Sequence, residues 1–287
     1  MKLLGKRALV TGASQGFGLA VARAFVEQGA SVSICARTIT DLGAVENDLR
    51  RAAGSGARVI AQQADISRPE DVRRLVASTR EGLGSIDVLV CNAGVYGPKG
   101  PVETVDWADW ETAFAINVHG TVLCCREAVP IMKAQRHGKI ILLSGGGATK
   151  PLPNLSAYAA SKAAVVRFGE TLAEETKAFG IQVNAVAPGA LNTRLLKEVL
   201  DAGPELVGER FYKQSQDQEK QGGTNPERGA SLCVFLASTE SDGITGRLLS
   251  AVWDPWETLA PRAAEMAATD VYTLRRIVPE DRGRKWE

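Results

Sequence analysis

Short runs of consecutive apolar residues alternate along most of the chain with longer stretches in which apolar positions recur every three or four residues. The first run, Arg7-Ala-Leu-Val-Thr11, is apolar through its centre, which predicts a strand covered on both faces. After Gly16, residues Phe17, Ala20, Val21, Ala24 and Phe25 fall on one helical face, and Gly29 stands where a helix-ending glycine belongs. Further strands are predicted at 31–35, 57–61, 86–90, 139–143, 181–186 and 246–252. Helices are predicted through Leu42, Val45 and Leu49, and from Pro69 through Val72, Leu75 and Val76. Others are expected over 104–135 (one or two pieces), 156–178 and 226–237, while 191–221 is polar and irregular with some helical character. This alternation implies βαβ units, hence the α/β class and a doubly wound parallel sheet of about seven strands with helices on both faces.

A length of 287 residues suits one large domain, here 1–252, followed by an extension, 253–287. The formal net charge of +1 favours neither nucleic acid nor an anionic membrane as a partner. Five cysteines, an odd number without Cys-x-x-Cys spacing, argue against a disulfide framework or a metal site and for a reducing compartment. Apolar Met1 to Leu4 is broken at once by Gly5-Lys6-Arg7, and no run is long enough to span a membrane. The expected location is the cytoplasm.

Between the first strand and the first helix the chain reads Thr11-Gly12-Ala13-Ser14-Gln15-Gly16-Phe17-Gly18. In a Rossmann-type sheet this turn receives a dinucleotide pyrophosphate: glycines let the backbone approach, and the helix start offers free N–H groups. Unliganded glycine-rich turns are common, so the position directly after the first strand carries more weight than the glycines do. Gly12, Ser14, Gln15, Gly16, Phe17 and Gly18 are therefore candidate cofactor residues.

The turn, Thr-Gly-x-x-x-Gly-x-Gly, resembles that of the short-chain dehydrogenase/reductase family, and the likeness continues in order over about residues 5–252. Cys91-Asn92-Ala93-Gly94 is similar to the family's Asn-Asn-Ala-Gly, with cysteine in the first place. Asn117 matches its helix asparagine and Ser144 its serine, while Tyr158-Ala-Ala-Ser-Lys162 matches Tyr-x-x-x-Lys. Pro188-Gly189, with Thr193, matches the segment after the sixth strand. The loop from Ser144 to Tyr158 is about one residue longer than is usual in the family. The resemblance implies hydride transfer between a nicotinamide and a carbonyl or secondary-alcohol carbon. Tyr158 would exchange a proton with the substrate oxygen, Ser144 would hydrogen-bond it, Lys162 would hold the ribose, and Asn117 would anchor a relay water. Asn92, Ala93, Gly94, Pro188, Gly189 and Thr193 would line the cofactor; Asp65 would lie beside the adenine, with Ile66 next to it. From spacing alone, Tyr158 and Lys162 share one helix face, and a nearby ammonium lowers the pKa of a phenol.

NAD-specific relatives of this fold carry an acid near the end of the second strand. Here the chain reads Cys35-Ala36-Arg37-Thr38, and Arg37 can pair with a 2′-phosphate. NADP(H) is the preferred expectation and NAD(H) the alternative, because Gln15 supplies no second cation. Asp65 can equally be a cap or turn acid. Residues 190–224, with Leu191, Leu195, Leu196, Leu206, Phe211 and Tyr212 ahead of the polar run 213–221, are expected to form a substrate lid. That polarity points to a small polar, sugar-like substrate. Trp253 and Trp256 are expected to pack on their own domain, with stacking on a sugar or sealing a neighbour's pocket as alternatives. A homodimer or homotetramer is expected through the helices near 112–135 and 156–178. Two other functions fit the fold. The joint presence of Asn117, Ser144, Tyr158 and Lys162 argues against a non-catalytic nicotinamide-binding regulator. The lack of Gly-x-x-Gly-x-x-Gly argues against a nucleotide-sugar epimerase or dehydratase.

Overall fold

The computed structural model describes residues 1–38 and 42–286. Its seven strands are β1 (Arg7–Thr11), β2 (Ser31–Ala36), β3 (Val59–Gln63), β4 (Val88–Cys91), β5 (Gly138–Leu143), β6 (Ile181–Ala187) and β7 (Arg247–Ser250). The helices are α1 (Gly16–Glu27), α2 (Leu42–Ala52), α3 (Pro69–Leu83), α4 (Trp107–Phe114), α5 (Gly120–Gln135), α6 (Ser156–Thr176), α7 (Arg194–Val207), α8 (Glu209–Gln221), α9 (Pro226–Ala237) and the short α10 (Ala263–Ala267). The strands form one sheet in the order β3-β2-β1-β4-β5-β6-β7, with every pairing parallel. The order reverses between β1 and β4, which opens a crevice at the carboxyl ends of those two strands.

Successive strand residues point to opposite faces, so each apolar run feeds two cores. Val10, Ile34, Val90 and Val186 pack with α1, α2 and α9 on one face. Leu9, Leu89, Ile140 and Val183 pack with α3, α5 and α6 on the other.

Element bounds depart from the sequence pattern in places (β4, expected at 86–90, is Val88–Cys91), and the one-or-two-piece expectation at 104–135 resolves into two helices. The edge strand β3 starts two residues later than expected and ends on Gln62 and Gln63; Gln62 donates to Ser33 Oγ at 3.1 Å. An edge strand tolerates such polar residues, which are only partly covered. The span 104–135 is α4 and α5 joined by a π-helical turn at Ala115–His119. Residues 191–221, read as irregular, hold two helices. A left-handed Gly203 (φ +77) kinks α7 ahead of Pro204, and Gly208 (φ +83) redirects the chain into α8.

The extension after β7 is anchored. The buried Arg247 guanidinium donates to Thr269 O (3.0 Å), Val271 O (2.7 Å) and Met266 O. Leu248 N donates to Tyr272 O at 2.7 Å, so the extension covers the open edge of β7. Trp256 is buried against Phe235, with Nε1 donating to Ala251 O at 3.3 Å, whereas Trp253 is 85% exposed. Core packing thus describes Trp256 and not Trp253. The extension 253–287 ends on Glu287, which lies outside the described residues. No helix among the described residues is long and apolar enough to cross a membrane.

Candidate active site

The crevice widens into a cleft of about 1190 Å³, at the upper end of the sizes that small-molecule sites reach. Its floor is the turn after β1. Gly12 (φ +63) and Gly16 (φ +58) take the left-handed backbone that glycine permits. A Cβ on Gly12 would stand 2.7 Å from Ala93 Cα, and one on Gly18 would collide with the Asn92 amide. That amide donates to Thr11 O and Gly12 O, each at 2.9 Å, and Asn92 N donates to Thr11 Oγ1 at 3.0 Å. Asn92 and Ala93 therefore clamp the turn against the end of β4 as well as lining the cleft. A Cβ on Gly16 would meet only the side chain of Thr193, at 3.6 Å. Gln15 is the N-cap of α1 and makes no side-chain cap bond, so the first N–H groups of that helix have no capping side chain beside the cleft. That is the cradle a pyrophosphate needs.

Arg37, exposed at the end of β2, lines the same cleft with Asp65 and Ile66. Asp65 Oδ1 accepts from Ser67 N (3.0 Å) and Ser67 Oγ (2.7 Å), so it is also a turn acid. Burial raises its pKa, but the Ser67 bonds and the charges of Arg37 and Arg68 outweigh that, leaving it below the ordinary carboxylate value.

The other end of the cleft holds Ser144, Tyr158 and Lys162. Ser144 follows β5, and its backbone N donates to Val186 O at 2.9 Å. Its Oγ is buried with no hydrogen-bond partner among the described residues, the kind of orphan a bound group satisfies. Tyr158 and Lys162 come from the first two turns of α6. Lys162 Nζ donates to Leu143 O at 2.8 Å and lies 5.7 Å from the Tyr158 ring centroid. Gly145 passes so close to the Tyr158 hydroxyl that any side chain there would collide with it. The Tyr96 ring packs edge-on against the Tyr158 ring, with 4.5 Å between centroids.

Burial lowers the Lys162 pKa to about 8, with the Cys91 thiol opposing. Burial, helped by Tyr96, pushes the Tyr158 phenol above its ordinary value. The expectation that Lys162 lowers Tyr158 is therefore not met by the protein's own groups. Removing a phenolate from water disfavours it, and the Tyr96 phenol beside it adds to that. At neutral pH Tyr158 is a proton donor, and forming its phenolate takes a further cation in the cleft.

Pro188, Gly189 and Thr193 line the cleft between these two ends. Gly189 needs its φ of +98, and a Cβ there would stand 2.7 Å from the Val252 side chain. Among the sequence-derived catalytic and cofactor candidates, Asn117 alone does not line the cleft. It lies in the π turn, buried, and its side chain is spent: Oδ1 accepts from Val95 N, and Nδ2 donates to Val95 O and Ser161 Oγ, all at 2.9 Å. A relay water cannot displace these bonds cheaply. The Asn117 carbonyl accepts from Thr121 Oγ1 at 2.8 Å.

Sequence reading missed Tyr96, Thr149, Lys150 and Leu152, which line the cleft near the serine. Tyr96 lies two residues beyond the Asn-Ala-Gly segment, and that closeness was the available signal. From the lid, Leu191, Leu195, Leu196 and Phe211 face the cleft with Ser215 and Gln218, while Leu206 and Tyr212 do not. Most of the polar run therefore covers the outer face of α8, and only Ser215 and Gln218 of it reach the inner wall. Exposed Trp253 and its neighbour Asp254 also border the cleft. Among the described residues no group of three or more His, Cys, Asp or Glu is placed to hold a metal.

Residues 6–203 match the family model described as short chain dehydrogenase. The chain belongs to the short-chain dehydrogenase/reductase family. A glucose 1-dehydrogenase of Gluconobacter oxydans is 41% identical over 251 residues, 86% of this chain and 91% of that one. Two solved structures share the fold. NAD+-bound xylitol dehydrogenase has a TM-score of 0.78 at 26% identity, covering 87% of this chain and 98% of that one. Gluconate 5-dehydrogenase of Burkholderia cenocepacia, in complex with NADP and tartrate, has a TM-score of 0.76 at 27% identity, covering 87% and 94%. This short-chain dehydrogenase is an NAD(P)-dependent oxidoreductase acting between an alcohol CH–OH and a C=O.

Proposed function

We propose that this short-chain dehydrogenase uses NADP(H) in preference to NAD(H) and acts on a secondary alcohol or ketone of a small polar, sugar-like substrate. One observation carries the proposal: Tyr158, Lys162 and the orphaned Ser144 hydroxyl meet at one end of a single cleft whose other end is the glycine turn and Arg37.

A bound nicotinamide supplies or accepts the hydride; the protein orients the substrate and handles the proton. Tyr158, held protonated by burial, gives its proton to the carbonyl oxygen in the reductive direction. Ser144 Oγ donates a hydrogen bond to the same oxygen as negative charge develops there. Lys162, anchored on Leu143 O, holds the ribose hydroxyls and steadies the phenolate that remains. Asn117 fixes Val95, and so the segment Gly94 to Tyr96. Gly12, Ser14, Gln15, Gly16, Phe17 and Gly18 receive the pyrophosphate, and Asp65 and Ile66 flank the adenine.

The names of the relatives support a polyhydroxylated substrate: glucose, xylitol and gluconate. Those relatives bind NAD+ in one case and NADP in another, so the cofactor preference rests on Arg37. A closed homo-oligomer and a cytoplasmic setting belong to the same proposal, the latter supported by five free, buried cysteines. The test is nicotinamide absorbance with glucose, xylitol and gluconate under each cofactor, for the wild type and Arg37→Glu. At least one polyol should turn over, faster with NADP+, and Arg37→Glu should erode that preference by about 10- to 100-fold. Silence on every alcohol, together with no calorimetric binding of either cofactor, defeats the proposal.

A further inference from the structure

We infer that Tyr96 is a substrate-specificity residue whose phenol donates a hydrogen bond to a second substrate hydroxyl close to the reacting carbon, so that the site selects polyhydroxylated substrates over mono-alcohols. The inference rests on the oxidoreductase reading above and deepens it.

Tyr96 lies on the strand-exit segment that also carries Asn92 and Gly94, and lines the cleft beside Ser144 and Tyr158. Its ring meets the Tyr158 ring edge-on at 4.5 Å and 60°, so the two phenols share one wall. Tyr158 has its role at the substrate oxygen. The Tyr96 hydroxyl has no hydrogen-bond partner among the described residues. It is also not among the sealed, orphaned polar atoms, so it stays accessible on a residue that lines the cleft.

The nearest acid does not claim it. Glu198, on α7, is held by Lys99 at 3.7 Å and by Arg194 at 3.4 Å. Lys99 Nζ lies 6.0 Å from the Tyr96 ring centroid, so the ion pair packs around the phenol without bonding its hydroxyl. Burial, helped by the Glu198 charge, pushes Tyr96 up to about 12. The group therefore stays a neutral O–H donor wherever the enzyme works. A half-buried donor without a protein acceptor favours a ligand that brings one, and rejects an analogue that leaves it dry. A carbinol bound at Tyr158 presents its neighbouring carbons to the same wall. The Asn117 bonds to Val95 hold the donor in place from one residue away.

Tyr96→Phe removes the hydroxyl and keeps the ring against Tyr158. Oxidation of 1,2- and 1,3-cyclohexanediol is compared with that of cyclohexanol in the full-length protein. The wild type should favour at least one diol. Tyr96→Phe should cut kcat/KM for that diol roughly tenfold, mainly through KM, should lower kcat/KM for cyclohexanol several-fold less, and should leave the melting temperature unchanged. Equal losses on diol and cyclohexanol, or no loss on the diol, would overturn the specificity role while leaving the oxidoreductase intact. A wild type silent on all of these alcohols would defeat this inference, and silence together with no calorimetric binding of either cofactor would defeat the underlying reading as well.

Discussion

A buried ammonium costs folding free energy, and Lys162 is one such group, fully enclosed and held on Leu143 O. Its folded pKa of about 8 lies below the unfolded value, so the unfolded chain binds the extra proton between about pH 8 and 10. Stability from this site is therefore present above the unfolded pKa and lost as pH falls through about 8. Lys162→Met should raise the urea midpoint at pH 7 by roughly 1–3 kcal/mol of stability, and the gain should shrink towards pH 10. A destabilised variant at pH 7 would contradict that account. At this scale the sequence carried the identities of Tyr158, Lys162 and Ser144, because motif order and helix spacing are one-dimensional. It did not carry the direction of the Tyr158 shift, which depends on how deeply the ring is packed. Nor did it carry the orientation of the Asn117 side chain, which the backbone of Val95 consumes.

The elements most legible in the sequence are those buried on both faces. β4 and the centres of β1 and β5 read as uninterrupted apolar runs because the sheet is covered above and below. The turn after β1 read as a phosphate cradle from its glycines, yet two of them serve a packing need: Gly12 and Gly18 make room for Ala93 and Asn92. α8 stayed hidden because it is polar almost all round, so periodicity has little to report, and the amphipathic pattern of α7 is cut by Gly203-Pro204. The extension was equally opaque, since one guanidinium holds it rather than a pattern. Arg247→Ala should leave three carbonyls short of a charged donor and cost about 2–4 kcal/mol. Lower melting, with faster protease cleavage beyond β7, is the expected result; unchanged protease sensitivity would mean the extension is held by its apolar contacts alone.

For the whole molecule, the strand order locates the chemistry before any side chain does. The reversal between β1 and β4 makes one crevice, and residues drawn from positions 12 to 254 converge on it. Its glycine turn and its Ser144–Tyr158–Lys162 group are separated along the chain by over a hundred residues and joined only by the fold. The central claim is that this cleft binds a nicotinamide at one end and moves a proton through Tyr158 at the other. Tyr158→Phe, assayed side by side for calorimetric cofactor binding and for turnover of the best alcohol, tests it most directly. The account predicts cofactor binding within a few fold of wild type and turnover reduced by about 1000-fold. Turnover that survives the substitution would contradict it.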